Sequence, residues 1–312
     1  KHGTYRCYKT AGRNCSPACR KSERGFAKQQ ISTTHQRRRS NEGEISSNKR
    51  KEVEAMSIGF IGCGNMASAI ICGIIDSKAV KAEEVNIFDI YAPATQAMKS
   101  KYNVNVFDSE TEIFKNSDTV VLAVKPNILA SVLNKIDSAL NEKDTLLISI
   151  AAGKSTEFIA SQLTHDNRII RVMPNINAKV AEAICAYTAN DKATDDDKKL
   201  TEKIFSAVGE IIYLDENYFP LFGVLGGCTP ALAYMFIDEL ARAGVKNGMK
   251  KDVALKISAQ AVLGSAKMIL ESDEHPYDLI DKVCSPGGTT IEAVTSLQES
   301  GFNSAIHKAV DK

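Results

Sequence analysis

The chain has 312 residues and a formal net charge of +1, with 44% hydrophobic and 25% charged residues, room for one large or two ordinary domains. The charge is unevenly placed: residues 1–55 carry 14 Lys/Arg against 5 Asp/Glu, and the remainder is net −8. An acidic body argues against a nucleic-acid surface there.

The first 55 residues are rich in Lys, Arg, Ser and Gln and show neither a helix nor a strand period. They read first as a non-native leader or upstream read-through and second as a transit peptide. A nucleic-acid tail around Arg37-Arg38-Arg39 is the third reading. Met56 then opens an apolar strand, as a native start would. Of eight cysteines, Cys7, Cys15 and Cys19 fall in this tail, and the other five have no C-x-x-C spacing. Cys63, Cys72 and Cys185 sit in apolar runs and read as small core residues of a reducing, cytoplasmic compartment. Neither a disulfide frame nor a metal site is expected. No run reaches 18 consecutive apolar residues, so no membrane span is expected.

From Met56 onward, short β-branched runs alternate with amphipathic segments. The pattern predicts strands over 57–61, 85–89, 119–124, 145–150 and 168–173, with helices over 65–76, 126–140 and 155–163. Strand, helix, strand at this spacing means βαβ units and a parallel, doubly wound sheet. Runs at 184–188 and 210–214 flank a helix that begins near Thr194 and extend the sheet. After Tyr218 the strand signals stop, and helices are predicted over 230–247, 252–272, 276–283 and 289–300. Residues Ala231 to Ile237 are apolar without a break, and a helix apolar all round must be covered on every side. About 95 residues cannot readily enclose such helices, so packing against a second copy is expected, with an ordinary large core as the alternative. The division is 1–55 as a basic tail, 56–217 as a dinucleotide-binding domain and 218–312 as a helical dimerisation and substrate domain.

The first predicted strand runs into Gly62-Cys63-Gly64-Asn65-Met66-Ala67 and then a helix. In that context a G-x-G-x-x-A run marks a dinucleotide site. Gly62 permits the tight turn, Gly64 lets the backbone approach a pyrophosphate, and Ala67 allows close helix–sheet packing. Ile61, Cys63, Asn65 and Met66 complete the loop. Asp89 ends the second strand, where an acidic side chain binds the adenosine ribose hydroxyls and repels a 2′-phosphate, favouring NADH over NADPH. Alternatively it only caps the following turn. Ala123, Val124, Lys125 and Pro126, with Ala151 and Ala152, fall at the carboxyl ends of strands, where such sheets bind ligands. Lys125 either reaches a phosphate or ribose hydroxyl or is a solvated loop lysine.

Near the C-terminus, Pro286-Gly287-Gly288 precedes Thr289-Thr290-Ile291-Glu292, which reads as a capping box. A glycine turn running into a helix N-terminus offers unpaired N–H groups to a carboxylate, with hydroxyls from Ser285, Thr289 and Thr290. From these residues alone, a well-capped helical hairpin turn is an equal alternative.

Taken together, the motifs closely resemble the pyrroline-5-carboxylate reductase family. They are Gly59-Phe60-Ile61-Gly62-Cys63-Gly64-Asn65-Met66, Ala123-Val124-Lys125-Pro126, Arg171-Val172-Met173-Pro174-Asn175, Ala261-Val262-Leu263-Gly264-Ser265-Ala266-Lys267-Met268 and Ser285-Pro286-Gly287-Gly288-Thr289-Thr290. The resemblance implies an α/β chain with a Rossmann-type doubly wound sheet followed by an all-α dimerisation domain. It also implies NAD(P)H-dependent hydride transfer to the C5=N bond of 1-pyrroline-5-carboxylate, giving proline. By the same resemblance, Gly287, Gly288 and Thr289 hold the substrate carboxylate and Thr290 hydrogen-bonds the ring nitrogen. Thr290 and Ser285 are the candidate catalytic residues, and Glu182 matches a glutamate near the site.

A homodimer, or a higher assembly of dimers, is implied, with a small-molecule substrate and with neither nucleic acid nor membrane as partner. Three departures stand out: Gly226-Gly227-Cys228-Thr229-Pro230-Ala231-Leu232 replaces the family's Ser-Gly-Ser-Gly-Pro-Ala-Tyr-like run, Glu110 replaces a common cofactor-contacting Asn, and Asp89 stands where many members have a Ser- or Arg-containing loop suited to NADP. The altered loop leaves two other readings open: a non-catalytic dinucleotide-binding dimer acting as redox sensor or scaffold, and a reductase of a related cyclic imine.

Overall fold

A computed structural model describes residues 57–140 and 143–312 of the chain. The expectations for the basic tail and for Met56 fall outside the described residues.

Eight strands form one sheet in the order β3-β2-β1-β4-β5-β6-β7-β8. They are β1 (Ile58–Ile61), β2 (Val85–Phe88), β3 (Asn105–Val106), β4 (Thr119–Leu122), β5 (Leu146–Ser149), β6 (Ile169–Met173), β7 (Ala183–Ala189) and β8 (Gly209–Tyr213). Alternation across the central strand organises both faces. Ile58 and Phe60 of β1 enter a cluster with Ile70, Ile71 and Ile74 of the helix Asn65–Asp76. Ile61 joins Leu129, Leu133 and Ile136 of the helix Leu129–Leu140 on the opposite face. Burying large aliphatic side chains on both faces, at about 1.5–3 kcal/mol each, holds the layers together.

Neighbours are parallel except at β6–β7, which pair antiparallel with Val172 opposite Tyr187. The five strands read first from the sequence are parallel as expected, and the antiparallel pair arises where β7 extends the sheet, a strand whose direction was not read. A parallel crossover needs a dozen or more residues, usually a helix, and here residues 174–182 supply only the 3₁₀ turn Ile176–Val180. The chain therefore turns straight back. The helix Asp195–Phe205 follows, closed by a reciprocal capping box between Thr194 and Asp197, and it returns the chain to β8 parallel to β7.

Beyond β8 the described chain is helical: Phe219–Phe222, a π-helix over Gly223–Cys228, Thr229–Lys246, Lys251–Glu271, Pro276–Val283, Thr289–Glu299 and Phe302–Val310. Large apolar side chains stand exposed along these helices, among them Met235 at 63% and Leu263 at 58%. Glu216–Lys246 and Lys251–Glu271 are also long and apolar enough to cross a membrane by length and composition, with 17% and 6% of their apolar windows buried. The count of consecutive apolar residues missed them because Gly, Pro and Thr interrupt the first run and Lys256, Gln260 and Lys267 interrupt the second. Helices that bury their faces against protein pass the same test.

Candidate active site

The strand order reverses at β1, with β2 on one side and β4 on the other. A crevice for a ligand opens at such a switch point, beyond the carboxyl ends of the strands. Gly62 sits there at φ +101°, and a Cβ built on it would lie 2.6 Å from Ala123 O. Its N–H donates to Phe88 O at 2.8 Å, while Ala123 N–H donates to Ile61 O at 2.9 Å, so the loop is stapled to both neighbouring strands. Gly64 is the N-cap of the helix Asn65–Asp76, with no side-chain cap. Nothing lies within 4 Å of its would-be Cβ. The first-turn amides at Asn65 and Met66 have no i−4 carbonyl to use, and the space beside Gly64 is open, as a pyrophosphate site requires.

A groove of about 340 Å³ runs from this loop between Asp89, Ile90 and Tyr91 on one side and Ala123, Val124, Lys125, Ile128 and Val132 on the other. Ile61 and Glu110 also line it. Asp89 is already engaged: Oδ2 accepts from Cys63 N–H at 2.6 Å and Oδ1 from Tyr91 N–H at 2.8 Å. Cys63 therefore serves the loop's shape, its amide spent on Asp89. Burial and the nearby Asp89 charge push the Cys63 thiol up to about 12. Asp89 does cap its own turn, and each oxygen keeps a second lone pair for a ligand hydroxyl. Pro126 is not among the lining residues.

A second cavity, of about 200 Å³, lies at the ends of β5 and β6, lined by Met66, Ile150, Ala151, Ala152, Arg171, Val172, Met173 and Pro174. Arg171 is buried and pairs with Glu216 at 2.8 Å. The other oxygen of Glu216 accepts from Thr156 Oγ1 at 2.7 Å. Burial pushes the Glu216 carboxyl up, but Arg171 and the two Thr156 donors outweigh it and hold it below the usual range. The Arg171 guanidinium also covers the Phe219 ring at 4.3 Å. These contacts tie the start of the helical region to the floor of the cavity. Asn175 does the same for the π-helix, donating from Nδ2 to Gly226 O at 2.9 Å. Neither tie was read from the sequence, because each joins residues more than 40 positions apart.

In the 285–290 loop, Gly287 adopts φ +65° and Gly288 N–H donates to Ser285 O at 3.0 Å. Gly288, not Thr289, is the N-cap of the helix Thr289–Glu299, and no side chain caps it. The expected capping box is therefore absent: the turn closes one residue earlier than the Thr-x-x-Glu pattern implied. Glu292 makes no contact that shapes the helix end, and the amides of Thr289, Thr290 and Ile291 stay unclaimed. Ser285 Oγ stands 2.3 Å from the point where a Gly288 Cβ would be, so the loop has no space for a side chain there. Thr290 lines a cavity with Ser265, Met268, Leu279, Ile280 and Val294. That cavity shares no lining residue with the other two. Glu182 lies exposed after Ala181, its N–H donating to Asn177 O at 3.2 Å, outside all three linings. Among the described residues no group of three or more His, Cys, Asp or Glu side chains gathers as a metal site would.

Comparison with known proteins decides the family. A protein of Escherichia coli strain K12, a pyrroline-5-carboxylate reductase, is 43% identical over 256 residues, 82% of this chain and 94% of its own length. The chain belongs to the pyrroline-5-carboxylate reductase family. The family profile described as pyrroline-5-carboxylate reductase dimerisation matches residues 216–312. A second, described as NADP oxidoreductase coenzyme F420-dependent, matches 57–153. The crystal structure of the Plasmodium falciparum pyrroline carboxylate reductase with NADP bound matches with a TM-score of 0.74 and 33% identity, covering 83% of this chain and 95% of that one. The Coxiella burnetii pyrroline-5-carboxylate reductase matches at 0.78 and 32%, covering 82% and 95%. As a member, the chain is an NAD(P)H-dependent oxidoreductase of proline biosynthesis with a helical dimerisation region.

Proposed function

We infer that this chain reduces 1-pyrroline-5-carboxylate to proline at a site completed by a second copy of itself, and that it prefers NADH. The observation behind the site is the pair of unclaimed helix N-termini, at Gly64 and at Gly288, each following a glycine turn. The Gly64 end, Asp89 and the groove between Ile90 and Val132 would hold the dinucleotide, with its nicotinamide toward Ala151, Ala152 and Met66. When bound, that group supplies the hydride received by C5 of the imine.

The remaining work falls to the chain's own residues. The amides of Thr289, Thr290 and Ile291 hold the substrate carboxylate, aided by the helix dipole. The Thr290 hydroxyl meets the ring nitrogen; hydride addition to the protonated imine leaves a neutral secondary amine, which takes its second proton from water to become the ammonium of proline. Ser285 shapes the turn beside Gly288. A protonated imine is already electrophilic, so orientation and proximity supply most of the acceleration. The dinucleotide groove and the Thr290 cavity share no residue, and exposed apolar helices such as those carrying Met235 and Leu263 need a partner surface. Both points favour a homodimer whose partner brings its 285–290 loop to the groove. The domain boundary is placed at 217/218. The free thiols of Cys63, Cys72, Cys185, Cys228 and Cys284 suit a reducing, cytoplasmic setting.

The nucleotide preference rests on Asp89. Comparing kcat/KM for the imine with NADH and NADPH tests it. NADH is expected to lead by about tenfold or more, from charge repulsion at the 2′ position. Asp89→Ser is expected to narrow that lead. A wild-type preference for NADPH would overturn the reading of Asp89.

A further inference from the structure

A second carboxylate in the dinucleotide groove has no task in the reading above. Glu110 opens the helix Glu110–Lys115, where Ser109 is the N-cap and its Oγ accepts from Glu112 N–H at 3.2 Å. The residue is only 9% exposed, yet it lines the same groove as Gly62, Gly64 and Asp89. Its Oε1 accepts from Lys135 Nζ at 2.8 Å. Among the described residues Oε2 accepts from no donor. Because the residue lines the groove, a ligand hydroxyl can donate to the oxygen that Lys135 leaves free.

The charges around the groove point the same way. Lys125 is the cation among the lining residues and alone would attract an added phosphate. Asp89 has part of its charge offset by the amides of Cys63 and Tyr91. Lys135 stands behind Glu110 with its side chain 57% exposed, where water and salt screen it. Apolar walls from Ile90, Ile128 and Val132 suit a nucleobase, which leaves the carboxylates to the sugar.

We propose that Glu110 is a second selectivity residue for the adenosine half of the cofactor, accepting from a ribose hydroxyl and, with Asp89, excluding a 2′-phosphate. The proposal rests on reading this groove as the dinucleotide site. Lys135 is a positioning residue that moderates the repulsion.

Calorimetric titration of the whole chain with 5′-AMP and with 2′,5′-ADP tests it without turnover. The wild type is expected to bind 5′-AMP more tightly. Glu110→Gln is expected to shift the affinity ratio about tenfold toward 2′,5′-ADP, as loss of one nearby charge implies. Lys135→Met, which removes the cation beside Glu110, is expected to shift it about threefold the other way. Ratios within about twofold of wild type in both variants would overturn the proposal. If Glu110→Gln does not fold, an unmoved ratio in Lys135→Met overturns it alone. Failure of the wild type to bind either probe sinks the groove reading and the proposal together. Binding of 5′-AMP with unmoved ratios sinks only the role of Glu110.

Discussion

Replacing Gly62 by Ala puts a methyl group 2.6 Å from Ala123 O and 2.9 Å from Ala123 C, at φ +101°. Both neighbours are backbone atoms of a stapled loop, because Ala123 N–H is bonded to Ile61 O and Gly62 N–H to Phe88 O. Relief therefore requires breaking one of these bonds. Backbone strain of about 1–3 kcal/mol plus a lost hydrogen bond of about 1 kcal/mol gives roughly 2–4 kcal/mol. For a chain of this size that lowers Tm by about 5–15 °C. Gly64→Ala is the contrasting case. Gly64 has an ordinary φ of −67° and open space around its would-be Cβ, so alanine fits the free protein. Its Tm should stay within about 2 °C of wild type or rise slightly. The same methyl occupies the approach of a pyrophosphate, so the Kd for NADH should rise about tenfold or more. Calorimetric melts without nucleotide and fluorescence titration with NADH read the two effects separately. Wild-type NADH affinity in Gly64→Ala, or an unchanged Tm in Gly62→Ala, would refute the reasoning.

Two further outcomes follow from other parts of the molecule. Glu216→Gln should cost about 1–2 kcal/mol near neutral pH by breaking the buried pair with Arg171. Because the folded Glu216 carboxyl titrates below its unfolded range, the wild-type advantage is present above the ordinary carboxylate range. It fades as pH falls through the folded value, so urea melts of both proteins should converge in acid. Leu263→Glu places a charge on an exposed apolar helix face and should convert the dimer to monomer, read by light scattering. A variant that stays dimeric with unchanged dissociation would remove that face from the interface.

Much of this fold was legible because its strands are short apolar runs, with β1 ended by Gly62 and β6 by Pro174. The expected helix over 65–76 matches Asn65–Asp76, since Gly64 precedes it and its apolar face at Ala67, Ile70, Ile71 and Ile74 is periodic. The helix Ala92–Tyr102 escaped notice because only Thr95 and Met98 are buried on it, too few to set a period. Strand β3 holds two residues, and Glu110–Lys115 is under two turns, so neither carries a pattern. The glycine motifs located both candidate ligand sites. The capping-box register failed because Gly287 and Gly288 complete their turn before Thr289 begins the helix. Glu110 was visible only as a departure from a family habit, and its place in the groove depended on the third helix folding back beside β1.

On the proposed reading, the Thr290 hydroxyl, at an otherwise unclaimed helix N-terminus, serves the reduction of the imine. Thr290→Val keeps the shape and removes the hydroxyl. With NADH and 1-pyrroline-5-carboxylate, the wild type should form proline one-for-one with nucleotide oxidised. The variant should lose about a hundredfold in kcat/KM for the imine while its Kd for NADH holds. Proline formation at the wild-type rate in Thr290→Val, or no turnover by the wild type with either nucleotide, would contradict the account.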